Sequence, residues 1–346
     1  MSVLRFPGFI DIHVHFREPG ATQKEDFLSG SRAALAGGFT YVIDMPNNPD
    51  PTISIQKLKE KMQFAEKAVC DVGFHFGTNG RNTKSFAAAA QHPRVFGLKL
   101  YCNHTTGDML LEDLTLLEDV FLHWNSDKPI LVHAEGVELA AVIALARLYE
   151  RRLHVCHISQ KNEVELVRRA KKQKQAITAG VCPHHLFFTG AARDTLKSYA
   201  IMKPPLGTQA DQDALWEGLN DRTIDIVETD HAPHTKEEKQ SEVPPYGVPG
   251  LETAVGLMFL GAKQKKIPQK LIEVLLCSRP REIFAIPEQK DTFVEIDTRK
   301  VTVVGENGYE SRCGWSPFDG WELPLRIEKV VLHGKTVLEQ GKLTLS

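Results

Sequence analysis

The stretch Phe9-Ile10-Asp11-Ile12-His13-Val14-His15 has the pattern of an apolar β-strand that ends in two histidines separated by one residue. In a β-strand, residues i and i+2 point to the same side, so the imidazoles of His13 and His15 project together. Two neutral imidazoles on one side provide half of a transition-metal site. A lone His-x-His also arises by chance, so it indicates a metal site only if other parts of the chain provide further metal ligands.

Seven further strand-like runs follow this one, and a helix-like stretch follows each run. The predicted strands cover residues 9–13, 40–45, 72–78, 97–100, 129–134, 153–157, 176–181 and 224–230. The predicted helices cover residues 29–36, 55–69, 85–91, 111–124, 137–151, 163–173, 210–219 and 251–262. Eight strands that each precede a helix predict an α/β fold, and within it a closed (β/α)8 barrel of the TIM type rather than an open sheet.

The pattern changes after about residue 285, where short strand-like runs replace the alternation with helices. These runs cover residues 293–296, 301–304, 327–332 and 336–339. We therefore expect a barrel domain over residues 1–285 and a small C-terminal β extension over residues 286–346, packed on the barrel. Since the first barrel strand begins by residue 9, any β element before it must be very short.

Residues that can bind metals gather at the predicted carboxyl ends of the barrel strands. In a (β/α)8 barrel the active groups lie at these ends and in the loops that follow them. Six residues meet this condition, namely His13, His15, Lys99, His133, His157 and Asp230. Since chance rarely puts six such residues at strand ends, the sequence predicts a metal site there.

Lys99 and Asp230 add chemistry to the four histidines. Burying an ammonium within an apolar strand is costly, so an isolated lysine at position 99 would extend its amine to the barrel rim. Next to histidines, a neutral Lys99 amine can instead add carbon dioxide and become a carbamate that bridges two metal ions about 3.5–4 Å apart. A buried carboxylate at Asp230 needs a cation, and it can also accept a proton from a metal-activated water.

Composition and charge exclude several classes of partner. The 346 residues are 42% hydrophobic and 25% charged with a formal net charge of −2, which is typical of a soluble globular protein without a nucleic-acid surface. The first residues lack the apolar segment of a signal peptide, and no apolar run approaches the roughly 20 residues of a membrane span. Six scattered cysteines without a Cys-x-x-Cys pair predict reduced thiols and a cytoplasmic location. We expect a small-molecule substrate, no nucleic-acid or membrane partner, and a homodimer as one possible assembly.

Eight short motifs stand along the chain in a fixed order. They are Gly8-Phe9-Ile10-Asp11-Ile12-His13-Val14-His15-Phe16-Arg17-Glu18-Pro19-Gly20, Asp44-Met45-Pro46-Asn47, Gly97-Leu98-Lys99-Leu100-Tyr101, His133-Ala134-Glu135, Cys156-His157, Pro183-His184-His185-Leu186, Asp230-His231-Ala232-Pro233-His234 and Pro249-Gly250-Leu251-Glu252-Thr253. In composition and order they resemble the motifs of the dihydroorotases, a family of cyclic amidohydrolases, from about residue 6 to the C-terminus. The resemblance is strongest to the dihydroorotase domain of the animal multifunctional pyrimidine-synthesis proteins, and it includes Trp315-Ser316-Pro317-Phe318.

The resemblance implies a zinc-dependent dihydroorotase, which reversibly hydrolyses L-dihydroorotate to N-carbamoyl-L-aspartate in the de novo synthesis of pyrimidines. The ligands that it implies are His13, His15 and Asp230 for one zinc ion and His133 and His157 for the other, with carboxylated Lys99 as the bridge. A hydroxide that bridges the two ions attacks the ring amide carbonyl. Asp230 is then the general base for this attack and the general acid toward the leaving nitrogen.

The resemblance also implies contacts to the substrate. It assigns the substrate carboxylate to Arg17, Asn47 and His234, with Lys203 at a position where the animal pattern has an arginine. Thr105 falls in the loop that covers the substrate, and it counts among the catalytic residues. An arginine matches a planar carboxylate with two parallel hydrogen bonds, which supports Arg17 independently. Asn47 has an equally good interpretation as a turn residue between two prolines.

A third zinc ion is doubtful. Animal-type domains can hold one between a cysteine beside the sixth-strand histidine and a glutamate on strand seven. Cys156 is present in this chain, but Gly180 stands at the glutamate position.

Two alternative functions stay open. One is allantoinase or another cyclic amidase of the same fold, which the stretch Arg17-Glu18-Pro19-Gly20 does not exclude. The other, of a different class, is a non-catalytic dihydroorotase-like scaffold. Such proteins usually lose metal ligands, whereas all six are present here.

Overall fold

The first barrel strand, Phe9–Val14, begins a parallel sheet of eight strands that follow each other in sequence order. A computed structural model describes residues 3–104 and 109–344 of the chain. The other strands are Phe39–Asp44, Asp71–Gly77, Val95–Tyr101, Ile130–His133, Leu153–Val155, Ile177–Val181 and Ile226–Val227. A hydrogen bond from His15 N to His231 O (2.9 Å) and a parallel bridge between Val14 and His231 join the two ends of the sheet. The predicted (β/α)8 barrel is therefore confirmed.

A helix occurs after each barrel strand, as the alternation predicted. The helices that correspond to the predicted ones are Phe27–Ala36, Ile55–Phe64, Phe86–Gln91, Leu114–His123, Gly136–Leu148, Lys161–Lys172, Gln209–Asn220 and Ala254–Lys263. In the sixth of them, Val164, Val167 and Ala170 recur every three residues and are buried, which is the apolar stripe of a helix. Glu163 accepts the N–H of Gln160 at the start of this helix. Further α-helices are Pro183–Phe187, Arg193–Leu196, Lys236–Lys239, Leu271–Glu273 and Arg279–Phe284. Single 3-10 or π turns cover Ala65–Lys67, Thr83–Ser85, Gly190–Ala192, Lys197–Ala200 and Val274–Ser278.

Apolar side chains fill the end of the barrel that lies opposite the carboxyl ends of the strands. Ile10, Ile12 and Phe284 belong to a buried cluster that is separate from the large apolar layer between strands and helices. The ring centre of Phe284 lies 5.8 Å from that of His75 and 5.2 Å from that of His154. This packing closes one end of the barrel, so the polar residues gather at the other.

A second sheet lies outside the barrel and contains segments from both ends of the described chain. Its five antiparallel strands have the order Val3–Pro7, Phe293–Asp297, Arg326–Leu332, Lys335–Glu339 and Lys342–Leu343. Thr302–Val303 and Glu322–Leu323 form a separate two-stranded ribbon. The strand before the barrel has five residues and pairs with Phe293–Asp297, so this sheet is only partly a C-terminal extension. The division into two domains at residue 285 stays a prediction.

All six cysteines are buried and none is paired with another. Within residues 3–104 and 109–344, every helix is too short or too polar to cross a membrane.

Candidate metal centre

The structure brings six side chains together at the carboxyl end of the barrel. His13, His15, His133, His157 and Asp230 line one cavity, and Lys99 is buried within electrostatic reach of all five. Asp230 Oδ1 lies 3.0 Å from His15 Nε2 and 3.3 Å from His13 Nε2. Across the site, His133 Nδ1 lies 3.1 Å from His157 Nε2, and the ring centres of His13 and His157 are 5.1 Å apart. The histidines therefore form two pairs, one beside Asp230 and one facing it.

Asp11 ties the first barrel strand to the segment that carries Asp230. Its carboxylate accepts the N–H of His13 at 3.1 Å and that of Thr229 at 3.2 Å, and it also accepts the Thr229 hydroxyl. Burial raises the pKa of Asp11 to about 7, although these hydrogen bonds oppose the rise. Because one buried carboxylate bonds both segments, His13 and Asp230 are held next to each other.

Three residues of the site have a left-handed backbone conformation. The φ angles are 62° at Arg17, 36° at His157 and 47° at Asp230. Residues other than glycine rarely adopt positive φ, and the strain that this conformation stores tends to occur at functional sites. Each of these residues follows the end of a barrel strand by two or three positions, and all three line the same cavity.

Burial keeps the four imidazoles neutral. It lowers the pKa of His13 to about 4, and it lowers the pKa of the other rings below their ordinary value, at His15, His133 and His157. When the amine of Lys99 is protonated, its positive charge lowers the pKa of all four rings further. A neutral imidazole offers a nitrogen lone pair, which is the form that binds a metal ion.

The donor set fits a transition-metal ion. Ligand atoms of His13, His157 and Asp230 lie within 4.8 Å of one another, and all three residues are buried. His13 Nε2 lies 3.3 Å from Asp230 Oδ1, and within the described residues one buried ring nitrogen on each of His133 and His157 lacks a hydrogen-bond partner. Imidazole nitrogen and carboxylate oxygen are the ligands that zinc takes in catalytic sites. A zinc-class ion would therefore find suitable donors here.

Lys99 is fully buried beside these donors. Its Nζ donates to Cys156 Sγ at 3.2 Å and lies 4.9 Å from the ring centre of Tyr101. Burial raises the pKa of Cys156 to about 12, so this partner is a neutral thiol rather than a counter-ion. An ammonium in such surroundings is costly, which agrees with the predicted carbamate, and the carboxylation of Lys99 stays a prediction.

The histidines and Asp230 line a cavity that Arg17, Asn47 and Lys203 also line. Arg17 is 7% exposed, and its Nε donates to Pro233 O at 3.1 Å. These contacts place a fixed positive charge in the same cavity as the metal ligands.

Asn47 contacts a metal ligand directly. Its Oδ1 lies 2.7 Å from His15 Nδ1, whose ring turns Nε2 toward Asp230. When Nδ1 carries the ring proton and donates it to Asn47, the Nε2 lone pair is free for a metal. This orienting contact was not among the sequence predictions for Asn47, which were a turn or the substrate carboxylate.

The remaining predicted substrate residues differ in position. Lys203 Nζ lies 5.6 Å from the ring centre of Tyr246 at the cavity. His234 is fully buried behind Arg17, with Nε2 3.1 Å from Arg17 Nη2 and 2.9 Å from Tyr246 O. Among the described residues, His234 is not part of the cavity lining, so its contact with substrate stays a prediction. The predicted catalytic Thr105 lies outside the described residues.

A buried ion pair that sequence analysis missed supports the loop of Arg17. Lys61 Nζ lies 2.5 Å from Asp44 Oδ2 and donates to Asn48 Oδ1 at 2.6 Å. Asp44 Oδ1 accepts the N–H of Phe16 at 2.7 Å. The pair thus connects the loops after the first and second barrel strands. A lysine on the buried face of its helix is the signal that could have revealed it.

Glu228 is the second buried charge that sequence analysis missed. Its ligand atom lies within 4.8 Å of those of His13 and Cys156. A side-chain Cβ at Gly180 would lie 2.6 Å from the Glu228 carboxylate, so Glu228 fills the space beside this glycine. A carboxylate therefore reaches this place from the last strand instead of the seventh, and the third zinc remains a prediction of doubtful status. The signal was a glutamate directly after the apolar pair Ile226-Val227 and two residues before Asp230.

Residues 4–243 match the profile of the amidohydrolase family, so this chain belongs to the amidohydrolase family. Within that family it groups with the dihydroorotases. It is 30% identical to the dihydroorotase of Methanosarcina acetivorans over 93% of this chain and 79% of that protein. It is 32% identical to the dihydroorotase of Bacillus subtilis over 99% of this chain and 89% of that protein, and the resemblance seen in the motifs is confirmed.

Much longer proteins are also similar to this chain. It is 40% identical to the multifunctional protein pyr1-3 of Dictyostelium discoideum over 99% of this chain, which spans 15% of that protein. Among solved structures, an L-hydantoinase (dihydropyrimidinase) from Arthrobacter aurescens has a TM-score of 0.92 at 22% identity, covering 99% of this chain and 87% of the other. The inactive dihydroorotase-like domain of the Chaetomium thermophilum CAD-like multifunctional protein has a TM-score of 0.85 at 24% identity, with coverages of 100% and 98%. At these identities the two structures show the shared fold alone.

Proposed function

We propose that this chain is a zinc-dependent dihydroorotase, which reversibly hydrolyses L-dihydroorotate to N-carbamoyl-L-aspartate in pyrimidine synthesis. The observation that carries the proposal is a single cavity lined both by metal donors and by the buried guanidinium of Arg17. Metal donors suit the hydrolysis of an amide, and a fixed guanidinium suits a substrate with a carboxylate. The relatives named dihydroorotase support the same substrate.

The histidine pairs would divide the metal ions between them. One ion would take His13, His15 and Asp230, the other would take His133 and His157, and carboxylated Lys99 would bridge them. When bound, the two ions supply an activated water and polarise the amide carbonyl. The neutral state of the imidazoles means that a metal ion displaces few protons from these ligands.

Asp230 is the residue that moves the proton. Burial raises the pKa of Asp230 above its ordinary value, while nearby His13 and Lys99 lower it in part. A carboxyl group with a raised pKa can hold a proton between two steps. Asp230 would take this proton from the attacking water and pass it to the ring nitrogen as the amide bond breaks.

Arg17 would orient the substrate by its carboxylate. Pro233 O and His234 hold one side of the guanidinium, which leaves N–H groups available toward the cavity. Two parallel hydrogen bonds from these groups would fix the ring so that its amide carbonyl faces the metal donors. Lys203 lines the same cavity and adds positive charge.

Ring-opening assays on L-dihydroorotate and on allantoin, with metal analysis of the same sample, test the proposal. We expect activity on dihydroorotate with about two zinc ions per chain. A preference for allantoin would assign the chain to the allantoinases. Bound metal without ring opening of either compound would indicate a non-catalytic scaffold.

We also infer the setting in which this activity occurs. The six buried, unpaired thiols suit a reducing compartment, and we propose the cytoplasm. The partner is a small molecule, and a homodimer remains one possible assembly. Fractionation of cells and measurement of the molecular mass in solution test these two points.

A further inference from the structure

Glu228 is a fully buried carboxylate for which the proposed reaction has no use. It precedes Asp230 by two residues, and its side chain is 0% exposed. A buried carboxylate is unfavourable unless donors or cations surround it. The partners of this carboxylate therefore indicate what it does.

The two oxygens of Glu228 face separate groups. Oε1 accepts the backbone N–H of His157. Oε2 lies 3.4 Å from His13 Nδ1 and 3.6 Å from His154 Nε2. The carboxylate thus lies between one ring of the first histidine pair and the backbone of the second.

The His13 ring has an unused nitrogen on the side of Glu228. Within the described residues, His13 Nδ1 and Glu228 Oε2 are both buried without a hydrogen-bond partner. The opposite nitrogen, Nε2, faces Asp230 at 3.3 Å. A proton on Nδ1 would therefore satisfy both unpaired atoms and leave the Nε2 lone pair for a metal.

Gly180 provides the room for this arrangement. A Cβ at position 180 would lie 2.6 Å from Cδ and 2.6 Å from Oε1 of Glu228, which is closer than such atoms approach in proteins. Any side chain at Gly180 would therefore displace the carboxylate. The seventh and eighth strands together determine where this charge lies.

We propose that Glu228 is a positioning residue, whose carboxylate accepts the Nδ1 proton of His13 and the N–H of His157 and so holds one ligand of each metal ion. The inference rests on the proposed metal centre. Histidine ligands of metals usually donate their second nitrogen to an acceptor, and loss of that acceptor typically costs about 10–100-fold in metal affinity or activity.

A third metal ion between His13, Cys156 and Glu228 is the competing interpretation. For such an ion the neutral His13 ring would have to lose its one N–H proton and become an imidazolate, and the thiol of Cys156 would have to lose its own proton. Oε1 of Glu228 already accepts the N–H of His157, and Oε2 lies beside two ring nitrogens, each of which can carry a proton. A hydrogen-bonded carboxylate therefore explains the contacts with fewer changes of protonation.

Release of zinc from the holoenzyme tests the proposal. We would measure the rate at which zinc passes to an excess of a coloured chelator, for the wild type and for Glu228→Gln. The glutamine keeps the size of the side chain and one acceptor for His157 N–H, but it removes the second acceptor from His13. We expect release about 10–100-fold faster, a lower kcat and little change in KM.

Glu163→Gln is the matched control. Glu163 is 2% exposed and accepts the N–H groups of Ser159 and Gln160 at 3.1 Å each, so it bonds backbone rather than an imidazole. Its substitution removes a buried acid from the first turn of the helix that follows His157. Zinc release from this variant should remain close to that of the wild type.

The double variant Gly180→Glu, Glu228→Ala provides a rescue. It returns a carboxylate to the same space from the seventh strand, so slow zinc release should largely recover, whereas Glu228→Ala alone should release zinc fast. The proposal would be overturned if Glu228→Gln released zinc at the rate of the wild type. It would also be overturned if the wild type held three zinc ions per chain and Glu228→Gln held two. A wild type that binds no zinc would overturn the proposed function as well, while two ions and no effect of Glu228→Gln would overturn this inference alone.

Discussion

Replacement of Arg17 by lysine tests whether the cavity binds a carboxylate. Arg17 is 7% exposed, with Nε bonded to Pro233 O at 3.1 Å and Nη2 3.1 Å from His234 Nε2, so its guanidinium has a fixed direction. The N–H groups that face away from these two partners can pair with both oxygens of a carboxylate. A lysine keeps the charge but offers a single ammonium, so one charge-assisted hydrogen bond is lost.

The expected size of the effect follows from that one bond. A hydrogen bond to a charged group contributes about 1.5–3 kcal/mol, which corresponds to about 10- to 150-fold in affinity. We therefore expect Arg17→Lys to raise KM for L-dihydroorotate by about this factor, with unchanged zinc content. Initial rates of ring opening at varied substrate concentration, with metal analysis of the same samples, measure both quantities.

A plain dihydropyrimidine without the carboxylate is the discriminating substrate. Its already poor hydrolysis should barely change in Arg17→Lys, because the lost bond is absent from its complex. Arg5→Lys serves as the control for the exchange itself, since Arg5 is exposed and bonds Glu295 in the second sheet. Equal losses on both substrates would refute the reasoning, because Arg17 would then support the metal site or the fold.

Metal analysis and three substitutions test the metal centre and the buried ion pair beside it. A fully active preparation should hold about two zinc ions per chain, and metal analysis that returns one or three would contradict the two ligand sets. Lys99→Ala should abolish activity and lower the metal content, with partial recovery of both in short carboxylic acids; wild-type rate and metal content would remove the carbamate from the mechanism. Asp230→Asn should lower kcat by about 10²–10⁴-fold with a smaller change in KM, because an amide accepts no proton, and near-normal turnover would assign proton transfer elsewhere. Lys61→Met should lower the free energy of unfolding by about 3–5 kcal/mol, since it leaves Asp44 as an unpaired buried carboxylate; denaturant titration without such a loss would show that the pair is not needed.

The barrel could be predicted because each of its strands is a local signal. A strand such as Phe39–Asp44 is buried along its whole length, so it is recognisable as a short apolar run. The bounds were least accurate at the eighth strand, which was predicted over residues 224–230 and pairs only over Ile226–Val227. After Val227 the ladder is interrupted, because the N–H of Thr229 donates to the Asp11 carboxylate, and pairing with the first strand occurs at His231.

The residues that support the site act through contacts between distant segments, and a local pattern can mark such a residue as unusual but does not identify its partner. The position of Glu228 depends on the space beside Gly180, and its proposed role depends on its contact with His13; these two residues lie on the seventh and first strands. Asn47 could be interpreted as a turn residue or a substrate ligand, and neither interpretation reveals that its Oδ1 lies 2.7 Å from His15 Nδ1. Side chains that hold other side chains become visible only once the barrel is closed.

The pairing of Val3–Pro7 with Phe293–Asp297 bears on how the chain folds during its synthesis. The first strand leaves the ribosome directly before the barrel begins, yet its partner follows only after residues 8–292 have been made. At about 5–20 residues per second, that interval lasts roughly 15–60 s. During this time the hydrogen-bonding groups of Val3–Pro7 have no native neighbour and can pair with another nascent chain. A polypeptide that stops at residue 285 would retain this exposed strand permanently, so we expect its solubility to be limited by the strand rather than by the barrel.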